Sequence, residues 1–170
     1  VVDRRRADIR RPLGKRLAAG FAKQSAFSER PIDENRDPAL SRDIAGYKIL
    51  MHLYEGLVMP DAKEGAPQPA LAERWDVSED GRTWTFHLRP SKWSNGDPVT
   101  AGDFVYAWRR VVDPKTGSGY SHRMYVVEGA REAVKGAAPP SGLGVRAIDD
   151  RTLEVKLVRR TPYFLQLVCM

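Results

Sequence analysis

The residue types that most often do chemistry are sparse in this chain and lie far apart. The three histidines, His52, His87 and His122, stand in different segments, and the single cysteine, Cys169, has no histidine close to it. Metal ligands recur at short fixed spacings and a thiol nucleophile needs a neighbouring base, so neither site is predicted. The sequence therefore predicts no metal, no cofactor and no enzyme. A catalytic pair of carboxylates stays open as the alternative, because acidic residues occur throughout although no pair stands out.

Charge is distributed unevenly along the 170 residues. The net charge of +6 comes entirely from residues 1–30, which hold nine basic and three acidic side chains and lack the continuous apolar run of a secretory signal peptide. We predict that residues 1–36 are a basic, disordered or abnormal N-terminal segment and that residues 37–170 fold. A nucleic-acid-binding arm is the alternative. Aromatic residues cluster in the neutral part, whereas a stacking groove needs basic and aromatic side chains together, so no nucleic-acid partner is expected.

Residues 69–114 contain all four tryptophans and the clearest local patterns. Thr83 to Leu88 alternate between polar and apolar side chains, which predicts a half-buried strand. Thr100 precedes a predicted helix over Ala101 to Val112, with Asp103 where the helix dipole favours an acid. This segment therefore predicts a strand, a turn and a helix around one core.

The predicted helix over 101–112 is amphipathic. Its apolar positions recur at the spacing of one helix face, namely Phe104, Val105, Trp108 and Val112. On this pattern Arg109 and Arg110 are expected to point mostly to water.

Shorter patterns complete the fold prediction. They indicate a helix from Ile44 to Glu55, a turn-rich loop from Asp61 to Gln68, a helix from Ser121 to Val134, a hairpin from Val145 to Leu157 and a final helix starting at Thr161-Pro162. The apolar residues of the final helix are expected to lack a partner surface and to be exposed: Tyr163, Phe164, Leu167 and Val168. The fold class is therefore α+β, with short strands and hairpins packed with helices.

Four ordered motifs stand out: WTFHLR, KWSNGDPVTAGDFVYAWRR, DPKTGSGY and, further on, GVRAIDDRTLEVKL. Together they resemble the N-terminal signature of the family 5 bacterial extracellular solute-binding proteins, the peptide-binding receptors of ABC importers. The resemblance extends from about Asp37 to Val168 and implies an incomplete N-terminal lobe of a periplasmic-binding-protein-like type II fold. It also implies a monomeric receptor in the periplasm or at the cell surface, which delivers peptide to the permease subunits of an importer.

The resemblance implies which residues contact the ligand. In this family an extended peptide lies between two lobes, and main-chain hydrogen bonds hold it. The tyrosine that follows the Asp-Pro loop corresponds to Tyr120, and a short loop before the first helix corresponds to Ala45, Gly46 and Tyr47. That loop often carries a glutamate in the family, and this chain has Ala45 in its place. A surface or packing role for Tyr120 stays open beside ligand binding.

Other functions also stay open at this point. Within the same family the ligand can be nickel, haem or a sugar, and most ligand-contacting residues of the family lie in the second lobe. From a different class, the basic N-terminal segment suits a basic-tailed nucleic-acid or interaction protein.

Overall fold

The computed structural model describes residues 37–41, 44–61 and 63–169, and within the first helix nothing is described of the side chain of Ala45. The predictions for residues 1–36 lie outside this part of the chain. The helices are α1 (Ile44–Leu53), α2 (Ala101–Val112), α3 (Ala130–Val134) and α4 (Phe164–Leu167). The strands are β1 (Val58–Pro60), β2 (Pro67–Pro69), β3 (Ala72–Val77), β4 (Thr83–Leu88), β5 (Val145–Asp149) and β6 (Thr152–Lys156). Short 3-10 turns occupy Pro114–Thr116, Ser121–Val126 and Pro140–Gly142.

An antiparallel sheet with the strand order β3-β4-β6-β5 forms the centre of the fold. Trp84 pairs with Val155 and Phe86 with Leu153, so the large apolar side chains of β4 and β6 lie on the same face. All four are buried, while Thr85 lies on the opposite, polar face. The strand predicted over Thr83 to Leu88 is confirmed, because its period of two matches a sheet with one buried face.

Helix α2 packs on this sheet against β5 and β6. The carboxylate of Asp103 accepts hydrogen bonds from the backbone nitrogen of Thr100 at 2.9 Å and from its hydroxyl at 3.1 Å, which ties down the start of the helix. The backbone nitrogen of Ala101 donates to the carbonyl of Asp150 at 2.8 Å, so the β5–β6 turn also holds this end. The predicted helix bounds are confirmed.

The loop predicted from Asp61 to Gln68 connects two short strands that pair as a small antiparallel hairpin, and its last two residues already belong to β2. Asp61 organises its tip: its Oδ1 accepts hydrogen bonds from the backbone nitrogens of Lys63 at 2.8 Å and Glu64 at 2.9 Å. Sequence patterns miss these strands because two of the three residues of β2 are prolines, which disfavour a strand prediction.

The prediction for the final helix is wrong in two respects. Helix α4 begins at Phe164, and the Thr161 hydroxyl donates to the carbonyl of Arg159 at 2.9 Å instead of capping a helix. Phe164 is not exposed: its ring lies in the core, with centroids 5.3 Å from Trp84 and 6.5 Å from Trp108. Val168 is buried and Leu167 half-buried, so of the four apolar residues only Tyr163 is largely exposed.

The helix predicted over Ser121 to Val134 is interrupted. Val127 is extended and bridges to Leu157 at the end of β6, which ends the 3-10 turn before it. Gly129 then has φ +73°, and a Cβ there would lie 2.5 Å from the carbonyl oxygen of Gly142, so only glycine fits. Helix α3 starts after this glycine.

One apolar cluster, with buried residues from Leu57 to Val168, joins helices α2, α3 and α4 to strands β1, β3, β4, β5 and β6. In the described residues no helix is long and apolar enough to cross a membrane.

Candidate functional site

The loop that follows α2 carries Tyr120 and is shaped by local hydrogen bonds. The Asp113 side chain accepts from the backbone nitrogen of Lys115 at 3.0 Å, and the backbone nitrogen of Gly117 donates to the Pro114 carbonyl at 3.1 Å. Gly117 has φ +68°, a left-handed conformation that glycine adopts without steric cost. These contacts turn the chain sharply and lead it through Ser118 and Gly119 to Tyr120.

The far side of this loop is fixed to the sheet. The backbone nitrogen of Glu128 donates to the carbonyl of Lys156 at 3.0 Å, and that of Val158 donates to the carbonyl of Val126 at 2.9 Å. The segment from Gly117 to Val126 is therefore anchored at both ends, which gives the side chains between them a defined place.

Tyr120 lines an open depression of about 450 Å³ together with Gly117, Ser118 and Gly119. Its side chain is 44% exposed. The guanidinium carbon of Arg123 lies 5.0 Å from the centre of the Tyr120 ring, and the His122 ring centre lies 6.1 Å away. These two neighbours orient the Tyr120 ring. Its hydroxyl can both donate and accept a hydrogen bond, as a ligand contact requires.

The other predicted contact residues lie in helix α1 and not in a loop before it. Gly46 and Tyr47 belong to its first turn, as does the backbone of Ala45, and Tyr47 is 43% exposed. In the described part of the chain no ring contact joins Tyr47 to Tyr120. The role of these residues in binding stays a prediction, and they occupy a separate element from Tyr120.

An ion pair fixes the segment before α1 to α2. Both terminal nitrogens of Arg110 donate to the Asp37 carboxylate, one of them to Oδ1 at 2.8 Å. The same Oδ1 accepts a hydrogen bond from the backbone nitrogen of Ala39 at 3.0 Å. The hydrogen bonds donated to the Asp37 carboxylate by the guanidinium raise the pKa of Arg110. The prediction that Arg109 and Arg110 point mostly to water is therefore wrong: Arg110 is paired, and Arg109 donates to the carbonyl of Ser141 at 3.3 Å. A helix-face pattern does not reveal a partner that is 73 residues away in sequence.

A second ion pair holds the end of α1. One terminal nitrogen of Arg89 lies 2.6 and 2.7 Å from the two carboxylate oxygens of Glu55. The Nε of the same arginine donates to the carbonyl of Ala70 at 3.2 Å. The segment that carries Ala45 to Tyr47 is thus tied at one end to α2 and at the other end to Arg89, the residue after β4.

Two titratable side chains outside the loop of Tyr120, Asp76 and Cys169, have pKa values that their surroundings shift. Nε2 of His87 lies 2.8 Å from the Asp76 carboxylate, and this hydrogen bond lowers the pKa of Asp76. Burial raises the pKa of the Cys169 thiol, which keeps it protonated and a poor nucleophile at neutral pH. Among the residues that the structure describes, no group of three His, Cys, Asp or Glu side chains could hold a metal ion.

Comparison with known proteins identifies the family. The family model described as "Bacterial extracellular solute-binding proteins, family 5 Middle" matches residues 66–170. This chain belongs to that family. The resemblance inferred from the sequence motifs is confirmed.

Individual members of family 5 are similar over most of this chain. The periplasmic oligopeptide-binding protein OppA of Escherichia coli is 45% identical over 138 residues, which cover 79% of this chain and 25% of that protein. The probable deoxycholate-binding periplasmic protein YgiS of the same organism is 46% identical over 132 residues, covering 75% of this chain and 24% of that protein. Among solved structures, Listeria monocytogenes OppA bound to peptide has a TM-score of 0.76 at 41% identity, covering 78% of this chain and 26% of that one.

The chain therefore spans about a quarter of the length of the curated relatives it matches. The mixed fold of helices and antiparallel strands corresponds to part of these periplasmic binding proteins. The predicted α+β fold class is confirmed.

Proposed function

We propose that this chain forms part of the substrate-binding component of a peptide ABC importer. The observation that carries the proposal is the match, over 78% of the chain, to a family member solved with bound peptide. In the whole receptor an extended oligopeptide lies between two lobes, and this chain supplies one wall of the cleft.

Within this wall we assign ligand contact to Tyr120 and to the first turn of α1, with Ala45, Gly46 and Tyr47. Tyr120 is suited to the role because its ring is exposed and held in place beside a depression. Its hydroxyl suits the main-chain groups of an extended peptide, which offer the same donors and acceptors whatever the peptide sequence.

We also propose a location, an oligomeric state and a partner for the receptor. It acts in the periplasm or at the cell surface as a monomer without catalytic activity, and it passes peptide to the permease subunits of the importer. The similarity to solute-binding proteins supports this setting.

A bile acid is the second candidate ligand, because one relative of almost equal similarity is named as probably deoxycholate-binding. The depression beside Tyr120 is open and has polar backbone around it, which suits a peptide better than a rigid apolar sterol. Nickel, haem, sugar and nucleic acid have no such support among the relatives described above.

Calorimetric titration of the full-length receptor that carries this sequence tests the proposal. Di- to pentapeptides are expected to bind with a stoichiometry of one, and Tyr120→Ala is expected to weaken that binding while Tyr163→Ala, an exposed tyrosine elsewhere, leaves it unchanged. Deoxycholate, nickel, haem and sugars are titrated in parallel. Binding of one of those ligands without any peptide binding would overturn the proposal.

A further inference from the structure

The loop around Tyr120 carries basic but no acidic side chains. Between Asp113 and Glu128 the sequence holds Lys115, His122 and Arg123 and no aspartate or glutamate. The formal charge of this stretch is therefore positive, as it also is in residues 155–170.

Among the residues that the structure describes, Arg123 forms no ion pair with a carboxylate. Five described arginines do form such pairs, namely Arg74, Arg82, Arg89, Arg110 and Arg146. Arg123 is exposed, and its guanidinium lies over the face of the Tyr120 ring. His122, on the same turn, likewise makes no ion pair in this part of the chain.

Stacking on a ring orients a guanidinium without using its hydrogen-bond donors. The N–H groups of Arg lie in the plane of the guanidinium and match a carboxylate in a two-pronged arrangement. The backbone hydrogen bond from Arg123 to the carbonyl of Tyr120 at 3.0 Å closes the turn and keeps the two side chains together. A preformed donor group thus stands next to the depression that Tyr120 lines.

We infer that Arg123, with Tyr120 beside it, is a specificity-determining site that favours a carboxylate on the bound peptide. This inference rests on the proposed function and adds the ligand chemistry that this wall selects. Tyr120 contacts the main chain of the peptide, and Arg123 pairs with a negative group on it. The carboxylate is either an acidic side chain or the carboxyl terminus.

The test uses the full-length receptor and three sets of pentapeptides based on alanine. One set carries aspartate at each position in turn, the second carries asparagine at the same positions, and the third has an amidated carboxyl terminus. An exposed charge pair is worth a small amount of binding energy, so aspartate is expected to bind about two- to fivefold more tightly than asparagine at one position. If the carboxyl terminus is the partner, amidation of that terminus is expected to weaken binding about two- to fivefold instead.

Variants then assign the preference to Arg123. Arg123→Gln is expected to abolish the affinity ratio between each peptide with the carboxylate and its uncharged counterpart. Arg123→Lys is expected to retain part of that ratio, since Lys keeps the charge but lacks the two-pronged arrangement of N–H donors. Arg131→Gln is the matched control, because Arg131 is also exposed and stacks on a tyrosine, 4.7 Å from the Tyr125 ring centre, but away from the Tyr120 ring. The preference should fall as salt is raised, because exposed charges are screened.

The outcomes separate the two proposals. If no pentapeptide binds the unsubstituted receptor, the proposed function itself fails. If pentapeptides bind but show no preference for a carboxylate, or a preference that persists in Arg123→Gln, the function stands and the role of Arg123 is overturned.

Discussion

Two regions of this molecule are stabilised in different ways. Residues 57–168 share one apolar cluster in which β4, β6 and α2 meet. Residues 37–55 bury Ala39 and Leu50, but neither belongs to that cluster, and Ile44 is 75% and Leu53 53% exposed. The N-terminal region also forms the ion pairs Asp37–Arg110 and Glu55–Arg89. Hydrophobic burial therefore stabilises residues 57–168, which we call the core unit, whereas in residues 37–55 two ion pairs add to a small buried apolar surface.

The largest effect is expected from truncation of Phe164 in the core unit. Phe164→Ala should lower the free energy of unfolding of the 170-residue chain by about 3–5 kcal/mol, because the ring is fully buried against Trp84 and Phe86. Urea unfolding followed by tryptophan fluorescence measures this. The neighbouring Tyr163→Ala is the control and should cost far less, since that ring is half exposed. Equal losses in the two variants would mean that α4 does not pack on the core.

A smaller and local effect is expected at the junction of the two regions. Arg110→Gln removes a half-buried pair with hydrogen bonds to a charged group, which should cost about 1–3 kcal/mol. The loss should appear as faster amide hydrogen exchange over α1, with exchange in β4 and β6 unchanged. Asp37→Asn in the same background should add little, because the pair is already broken. Uniformly faster exchange throughout the chain would contradict a local role.

Acid should lower the free energy of unfolding by weakening the ion pair between Arg146 and Glu154. The hydrogen bond from Arg146 lowers the pKa of Glu154 below its ordinary value of 4.5, so the folded state holds this carboxylate ionised more firmly than the unfolded state. Its contribution to stability is present above that ordinary pKa and is lost as the pH falls through the lowered one. The urea midpoint should therefore drop on acidification below about pH 4.5, and Glu154→Gln should reduce this drop. A variant with the same pH dependence as the parent would rule out this pair as a contributor.

The smallest effect is expected at the pair formed by Arg74 and Asp76, whose side chains are 61% and 66% exposed. Solvent and salt screen such a pair, so Arg74→Gln should leave the urea midpoint unchanged within error. A clear loss here, comparable to that of Arg110→Gln, would remove the distinction between exposed pairs and those that tie the regions together.

The core unit was largely predictable from the sequence, because its elements carry strong periodic patterns. The alternation of Thr83 to Leu88 and the helix over Ala101 to Val112 depend on neighbours in sequence, and both predictions are confirmed. The partners of Phe164 and Arg110 were missed because they come from distant segments, and a local pattern gives no account of them.

The candidate site was predictable only in part. Tyr120 followed from a family motif, and the structure adds the ring contacts that orient it. Arg123 was not predicted as a site residue, because its stacking on the Tyr120 ring depends on the folded turn and leaves no mark in the sequence.

Hydrogen exchange of the full-length receptor, measured with and without a saturating peptide, shows whether the peptide lies against Tyr120. Bound peptide is expected to slow exchange in the loop from Gly117 to Arg123 and in the first turns of α1, while β4 and β6 exchange as before. Peptide binding with unchanged exchange over Gly117 to Arg123 would contradict this expectation, because the ligand would then lie elsewhere.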